Sequence, residues 1–132
     1  METFFLAEPY PDKMDAALNF PFKVNPGTYW VYHSSDTFIL ARAMNNYLQT
    51  QEGAGADIFD MVNTEVYAPI HLSAGVSTVR TDNASNGAPF GGYGLFWTRD
   101  DIAKVSKFLN NDNGIANGTQ LLQPDMLADS MQ

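Results

Sequence analysis

The residue types that most often carry out catalysis are few in this chain of 132 residues, and they form no complete catalytic set. The sequence has no cysteine, which excludes thiolate nucleophiles and cysteine-zinc sites. No serine is followed by lysine three residues later, and none lies in a Gly-x-Ser-x-Gly element. The two histidines, His33 and His71, have no repeating ligand pattern around them, so a dedicated zinc site is not predicted.

The most informative stretch is Pro26–Ser35, in which Tyr32, His33 and Ser34 follow an aromatic run and precede an apolar helical pattern. Asn25 to Thr28 has the composition of a turn, and the four residues that end at Tyr32 have that of a β-strand. On residue pattern alone, the favoured interpretation is a core strand that leads into a helix, with Tyr32 packed inside. The alternative is that Tyr32 lies at the edge of a functional cleft.

Four stretches together resemble the serine β-lactamase and penicillin-binding-protein superfamily, especially its class C β-lactamase and esterase branch. In that branch a Pro-Gly-Thr turn leads to a Tyr-x-Asn or Tyr-x-Ser element that heads a helix, and Tyr32-His33-Ser34 is similar to it. Residues 91–104 (GGYGLFWTRDDIAK) resemble the family's Gly-Gly-Leu-x-Ser-Thr-x-x-Asp-Leu-Ala-Lys, and residues 118–124 (GTQLLQP) its Gly-x-x-Leu-Leu-Ser-Pro. Residues 67–72 resemble a Pro-Leu-Gly-Met segment, with departures at Ile70 and His71.

The resemblance implies a role for each residue of the tyrosine element. In the family, the serine of a Ser-x-x-Lys element attacks a carbonyl, and the tyrosine and lysine pass the proton to the leaving group. Carried over, Tyr32 is the general base and acid, while Ser34 and His33 are substrate-binding residues at the cleft. A free phenol is only about 0.1% ionised at pH 7, so this chemistry requires a cation beside it. No metal and no cofactor are implied.

Two parts of the family's catalytic site are missing from the sequence. They are the Ser-x-x-Lys element that normally precedes the tyrosine and the Lys-Thr-Gly or His-x-Gly element that follows. We therefore expect residues 1–132 to be a single incomplete domain, the central fragment of a serine hydrolase of amides, lactams or esters, inert in isolation. Ser34 in place of asparagine favours an esterase, peptidase or other hydrolase over a true β-lactamase. The expected partners are the missing remainder of the fold or a second copy, together with a small-molecule or peptide substrate.

The apolar spacing predicts an α+β, mostly helical fold. The resemblance implies the helical subdomain of a β-lactamase or transpeptidase-like fold, without most of its main antiparallel sheet. Residues 1–27, rich in proline and aromatics, are predicted to be irregular with a short helix near Asp12 to Leu18, and residues 28–132 to be helical with short strands and glycine-rich loops. The first long helix is expected to begin after Ser34-Ser35-Asp36, whose side chains can cap it, and to stop before Gly53. Further helices are expected over about Asp57 to Tyr67, after the Thr98 and Asp101 capping pair, and from Pro124. Short strands are expected over 29–32 and 93–97.

Charge and hydropathy limit the partners. The chain has 15 acidic and 7 basic residues, a formal charge of −8, and the basic residues are scattered, so nucleic-acid binding is not expected. No apolar run approaches the roughly 20 residues of a membrane-spanning helix. The first six residues lack the basic region of a secretory signal. The family resemblance suggests a bacterial periplasmic or secreted protein, although the residues themselves leave the compartment undetermined.

Two rival interpretations come from other functional classes. The first is a self-contained extracellular module that binds carbohydrate or peptide on an aromatic platform formed by Tyr10, Trp30, Tyr93 and Trp97. The second is a non-catalytic interaction protein derived from the hydrolase scaffold.

Overall fold

The computed structural model describes residues 2–7, 10–21, 24–25, 27–77, 90–92 and 94–131. In chain order its elements are α1 (Glu2–Leu6), α2 (Tyr10–Leu18), α3 (Ser34–Glu52), α4 (Ile58–Val62), a π-helical turn (Asn63–Tyr67), a 3₁₀ turn (Ala74–Ser77), α5 (Arg99–Asn110), β1 (Ile115–Ala116), β2 (Thr119–Gln120) and α6 (Pro124–Ser130). Within the described residues the only sheet is the β1–β2 pair, so the predicted α+β, mostly helical class is confirmed.

The contacts divide the chain into two compact units. The first comprises Met1–Ile58 and Val79–Gly94, and the second comprises Phe59–Thr78 and Leu95–Gln132. The assignment of the whole chain to one incomplete domain stays a prediction. Among the described residues, no helix combines the length and the hydropathy that crossing a bilayer requires.

The core of the first unit consists of aromatic rings from distant parts of the chain. Phe4 of α1, Phe38 of α3 and Phe90 are buried, together with Ala17 of α2. The ring centroid of Phe38 lies 5.4 Å from that of Phe4 and 5.3 Å from that of Phe90, separations at which aromatic pairs attract each other. The proline-rich first segment is therefore held to α3 by its rings.

A lysine is buried beside this core. Lys13 of α2 is 5% exposed, and its ammonium donates a hydrogen bond to the carbonyl oxygen of Phe4 at 3.1 Å. The same nitrogen lies 5.2 Å from the ring centroid of Phe4 and 5.7 Å from that of Phe90, within the range of cation–π attraction. These contacts link α2 to α1.

Helix α3 ends at Gly53, as its sequence predicts. Gly53 has a φ of 104° and donates its N–H to the carbonyl of Gln49. The chain that follows is tied back to α3 by two amide side chains: the oxygen of Asn45 accepts the N–H of Ile58 at 2.8 Å, and the amide of Gln49 donates to the carbonyl of Ala56 at 3.0 Å. Asn45 is almost completely buried, so this hydrogen bond is shielded from water.

In the second unit, helix α5 begins with the predicted capping box. The Thr98 hydroxyl accepts the N–H of Asp101, and the Asp101 carboxylate accepts the N–H of Thr98. The polypeptide leaves α5 through Asn113 and Gly114, both with positive φ, and enters the β1–β2 hairpin. In that hairpin Ile115 pairs with Gln120, and Asn117 and Gly118 both have positive φ, as a type I′ turn requires.

Both predicted strands are wrong. Residues 29–32 and 94–97 are not in strands, and Tyr93 lies outside the described residues. Strand propensity is satisfied only when a neighbouring strand supplies hydrogen bonds, and neither segment has one among the described residues. Most of the predicted glycine-rich loop, residues 78–89, also lies outside the described residues.

Candidate functional site

Tyr32 lies in the extended segment that enters α3, and its ring is at the surface. The side chain is 60% exposed, and its centroid is 6.4 Å from that of Trp30, which is 80% exposed. Among the described residues the Tyr32 hydroxyl has no hydrogen-bond partner. The interpretation that residue pattern alone favoured, in which Tyr32 is packed inside a core strand, is therefore wrong. The Tyr32 side chain can instead be reached by a group from outside the described residues.

His33 and Ser34 form the start of α3. His33 is the N-cap, with φ −137° and ψ 126°, and its carbonyl accepts the N–H of Asp36 at 3.1 Å. No side chain caps this helix, which corrects the expectation that Ser34, Ser35 and Asp36 would do so. The helix begins at Ser34, so these polar residues occupy its first turn instead of the capping position.

A groove at the head of α3 brings His33 and Ser34 together with aromatic rings. We name it the Phe5 groove, and it has a volume of about 270 Å³. Its lining comprises Phe4, Phe5, Phe20, Pro21, His33, Ser34 and Ser35. Four of these seven residues are apolar, and the three polar ones, His33, Ser34 and Ser35, are consecutive at the start of α3.

A second groove adjoins the first. We name it the Tyr29 groove, with a volume of about 330 Å³. It shares Phe20, Pro21 and His33 with the Phe5 groove, and Tyr29 and Asp36 are among its other lining residues. His33 therefore lies between two largely apolar depressions.

The structure brings together two of the three predicted site residues. His33 and Ser34 line the Phe5 groove, whereas Tyr32 lines neither groove. No lysine or arginine is among the lining residues of either groove, within the part of the chain that the structure describes. The cation that the tyrosine chemistry requires is thus not supplied by these described residues, and the roles of Tyr32, His33 and Ser34 stay predictions.

The second unit contains a buried carboxylate that the sequence only partly reveals. Asp101 is completely buried and accepts hydrogen bonds from Ser73 and Thr98. Both residues donate through the backbone N–H and the hydroxyl, at distances from 2.6 to 2.9 Å. The capping pair was evident from its spacing, but nothing in the local sequence of Ser73 indicates this contact.

The electrostatics of this cluster favour the charged carboxylate. The hydroxyl of Ser73, followed by the N–H groups of Ser73 and Thr98, holds the pKa of Asp101 well below its ordinary value of 3.8. Burial acts in the opposite direction but is outweighed. A carboxylate engaged in four hydrogen bonds is poorly suited to exchange protons with a substrate, so we assign Asp101 a structural role.

A depression in the second unit lies between the C-terminal half of α5 and the hairpin. It has a volume of about 580 Å³, and its cations are Lys104 and Lys107. Both are engaged: Lys104 binds Asp100 at 2.6 Å and the carbonyl of His71 at 2.7 Å, and Lys107 binds Asp112. The described lining residues of this depression therefore present no uncompensated positive charge for an anionic ligand.

No group of three or more histidine, aspartate or glutamate side chains that could hold a metal ion occurs within the described ranges. A comparison of the sequence with models of known protein families gives no match, and comparisons with curated proteins and with solved structures also find no similar protein.

Proposed function

We propose that this chain is the central segment of a serine hydrolase of the β-lactamase and penicillin-binding-protein superfamily, from its class C β-lactamase and esterase branch. One observation carries the proposal: Tyr32 is exposed at the head of a 19-residue helix, and the next two residues line a groove. An acid/base residue must reach a proton on a neighbouring group, which requires this kind of exposure. The order of the four family-like stretches supports the same assignment.

The reaction would be acyl transfer through a serine located outside this chain. Tyr32, held in its ionised form by a lysine of the Ser-x-x-Lys element, would take the proton from that serine as its oxygen attacks the carbonyl. The phenol would then give the proton to the leaving amine or alcohol. In hydrolysis of the acyl-enzyme, water would be deprotonated in the same way. Ser34 and His33 would contact the substrate from the edge of the Phe5 groove.

An exposed apolar face on α3 supports the proposal that the domain is incomplete. Leu40, Met44 and Tyr47 follow one another at helical spacing and are 58%, 46% and 68% exposed. Such a face in a folded protein usually packs against another surface. The occupant that fits the proposal is the remainder of the hydrolase fold, and in its absence a second copy of the chain.

Activity measurements with and without the missing elements test this function. We expect the purified 132-residue chain to leave a chromogenic cephalosporin and nitrophenyl esters intact, because it has no nucleophile. Adding the polypeptide with the Ser-x-x-Lys and Lys-x-Gly or His-x-Gly elements, taken from the adjoining coding sequence, should restore hydrolysis. Hydrolysis by the isolated chain that Tyr32→Phe abolishes would show instead that the chain carries its own nucleophile.

A second candidate, the binding module, is favoured by one observation. Trp30 and Tyr32 are both exposed, with ring centroids 6.4 Å apart, which is the kind of surface that sugars stack on. The other members of the predicted platform add no support: the indole nitrogen of Trp97 is buried, and the side chains of Tyr10 and Tyr93 lie outside the described residues. A glycan array that gives binding abolished by Trp30→Ala but unaffected by Phe96→Ala would favour the module.

A further inference from the structure

The Phe5 groove has the size and lining of a site for part of a small molecule. Its volume of about 270 Å³ is just below the range of roughly 300–1000 Å³ found for complete ligand sites. Phe5 is 39% exposed and stands edge-on to Phe4 at a centroid distance of 5.2 Å, so it forms a wall that a ligand can reach. The groove thus fits one aromatic ring or a short acyl chain.

The polar edge of the groove carries hydrogen-bonding groups that are not engaged elsewhere. Among the described residues, neither the Ser34 hydroxyl nor the His33 imidazole has a hydrogen-bond partner. Both groups can donate to a carbonyl oxygen, and both lie at the end of α3 that follows Tyr32. A carbonyl bound at this edge would place its apolar substituent against Phe5 and Phe20.

The charges around the groove disfavour an anionic ligand. None of its described lining residues is a lysine or arginine, and the adjoining Tyr29 groove contributes the carboxylate of Asp36. Lys13 does not alter this, because its ammonium is buried against the rings of Phe4 and Phe90 and is bonded to a backbone carbonyl. Among the described residues, no cation at the groove would thus compensate the desolvation of a ligand carboxylate.

We propose that the Phe5 groove binds the uncharged aromatic or short-chain acyl part of an ester, with its carbonyl at Ser34 and His33. This inference deepens the proposed function and rests on it for the identity of the reaction, but the binding itself needs no nucleophile. The substrate class is a neutral ester of a hydrophobic acid, in preference to a lactam that carries a carboxylate.

Ligand-detected NMR titration of the isolated chain tests the groove, with methyl benzoate as the probe and benzoate as its charged counterpart. We expect methyl benzoate to bind with a Kd of about 1 mM, as ligands of this size do, and benzoate to bind at least about tenfold more weakly. Phe5→Ala should weaken the binding of methyl benzoate by about tenfold, and Phe5→Leu by less. The matched control is Phe96→Ala, which removes a 72% exposed phenylalanine outside the groove and should leave the affinity unchanged.

Equal binding of the two probes, binding of benzoate alone, no binding of methyl benzoate, or equal effects of Phe5→Ala and Phe96→Ala would overturn the inference. Circular dichroism of each variant separates loss of the groove from loss of the fold, and Phe5→Leu serves if Phe5→Ala does not fold. The result is also separable from the proposed function. If the groove binds methyl benzoate but the chain does not hydrolyse esters once the missing elements are restored, the hydrolase proposal is rejected. If the restored protein hydrolyses esters but the groove does not prefer the neutral probe, only the groove assignment is rejected.

Discussion

Ser73 donates two hydrogen bonds to the buried carboxylate of Asp101, one from its N–H at 2.8 Å and one from its hydroxyl at 2.6 Å. The bond from the hydroxyl is the shorter one and joins residues 28 positions apart in the sequence. It therefore fixes the segment before the 3₁₀ turn to the first turn of α5.

Removal of the Ser73 hydroxyl should destabilise the second unit. We expect Ser73→Ala to lower the free energy of unfolding by about 1–3 kcal/mol, because a buried charged acceptor loses one donor. Urea denaturation followed by circular dichroism measures this change. The matched control is Ser106→Ala, an exposed serine on α5, which should change stability by less than about 0.5 kcal/mol. A Ser73→Ala variant as stable as the control would contradict the role of this bond.

The same cluster predicts how stability depends on pH. The pKa of Asp101 is lower in the folded chain than the ordinary value of 3.8, so below about pH 4 the unfolded state binds the proton first. The contribution of the Asp101 carboxylate to stability is complete above the pKa of the unfolded state. It is lost as the pH falls toward the lower pKa of the folded state. Urea midpoints between pH 7 and pH 3 should therefore decline less steeply in Asp101→Asn than in the natural chain, with Ser73→Ala between them. Identical slopes in all three proteins would refute the prediction.

Gly91 tests the packing of the first unit. Its φ is +67°, and a Cβ atom there would lie 2.3 Å from the Cβ of Ala41, far inside van der Waals contact. We expect Gly91→Ala to cost about 2–4 kcal/mol, the sum of backbone strain and overpacking. Gly27→Ala is the control, since Gly27 also has a positive φ, +78°, but no atom of the described residues lies within 4 Å of the added Cβ. Gly27→Ala should lower the free energy of unfolding by only about 1–2 kcal/mol, and thermal unfolding measures both variants. Equal losses of stability in the two variants would show that Gly91 is packed less tightly than the structure indicates.

The exposed face of α3 should govern self-association. We expect the natural chain to sediment as a species larger than its 14.6 kDa monomer. Replacing Leu40 and Met44 together by glutamine should weaken that association at least about tenfold, because two apolar side chains leave the contact. Ile102→Gln, at a 54% exposed position on α5, should have no comparable effect. A natural chain that sediments as a monomer and unfolds cooperatively would count against an incomplete domain.

The parts of this fold that could be predicted from sequence are those fixed by residues within about four positions of each other. The capping box of Thr98 and Asp101 and the end of α3 at Gly53 are of this kind, because cap and helix are neighbours along the chain. The strand predicted over 29–32 failed because pairing depends on a partner elsewhere, which propensity does not report.

The candidate site was predictable only in part for the same reason. The position of His33 and Ser34 at the start of α3 follows from the turn and helix signals around them. The exposure of Tyr32 does not, because the residue pattern favoured a tyrosine packed inside a core strand. The walls of the Phe5 groove come from Phe4 and Phe5 of α1, a helix that was not predicted, and from Phe20. Sequence spacing could not indicate that these rings meet the head of α3, because their contact depends on long-range packing.

Removal of the Tyr32 hydroxyl tests the assignment of Tyr32 as a catalytic residue most directly. The measurement is kcat/KM for a neutral nitrophenyl ester, made on this chain joined to the polypeptide that carries the Ser-x-x-Lys element, with Tyr32→Phe and Tyr29→Phe as paired variants. Tyr29 is an exposed tyrosine of the same segment and serves as the control. We predict that Tyr32→Phe lowers kcat/KM by about 10²–10⁴-fold with the fold intact, whereas Tyr29→Phe lowers it by less than about threefold. Equal activity of the two variants would contradict the assignment of Tyr32 as the general base and acid.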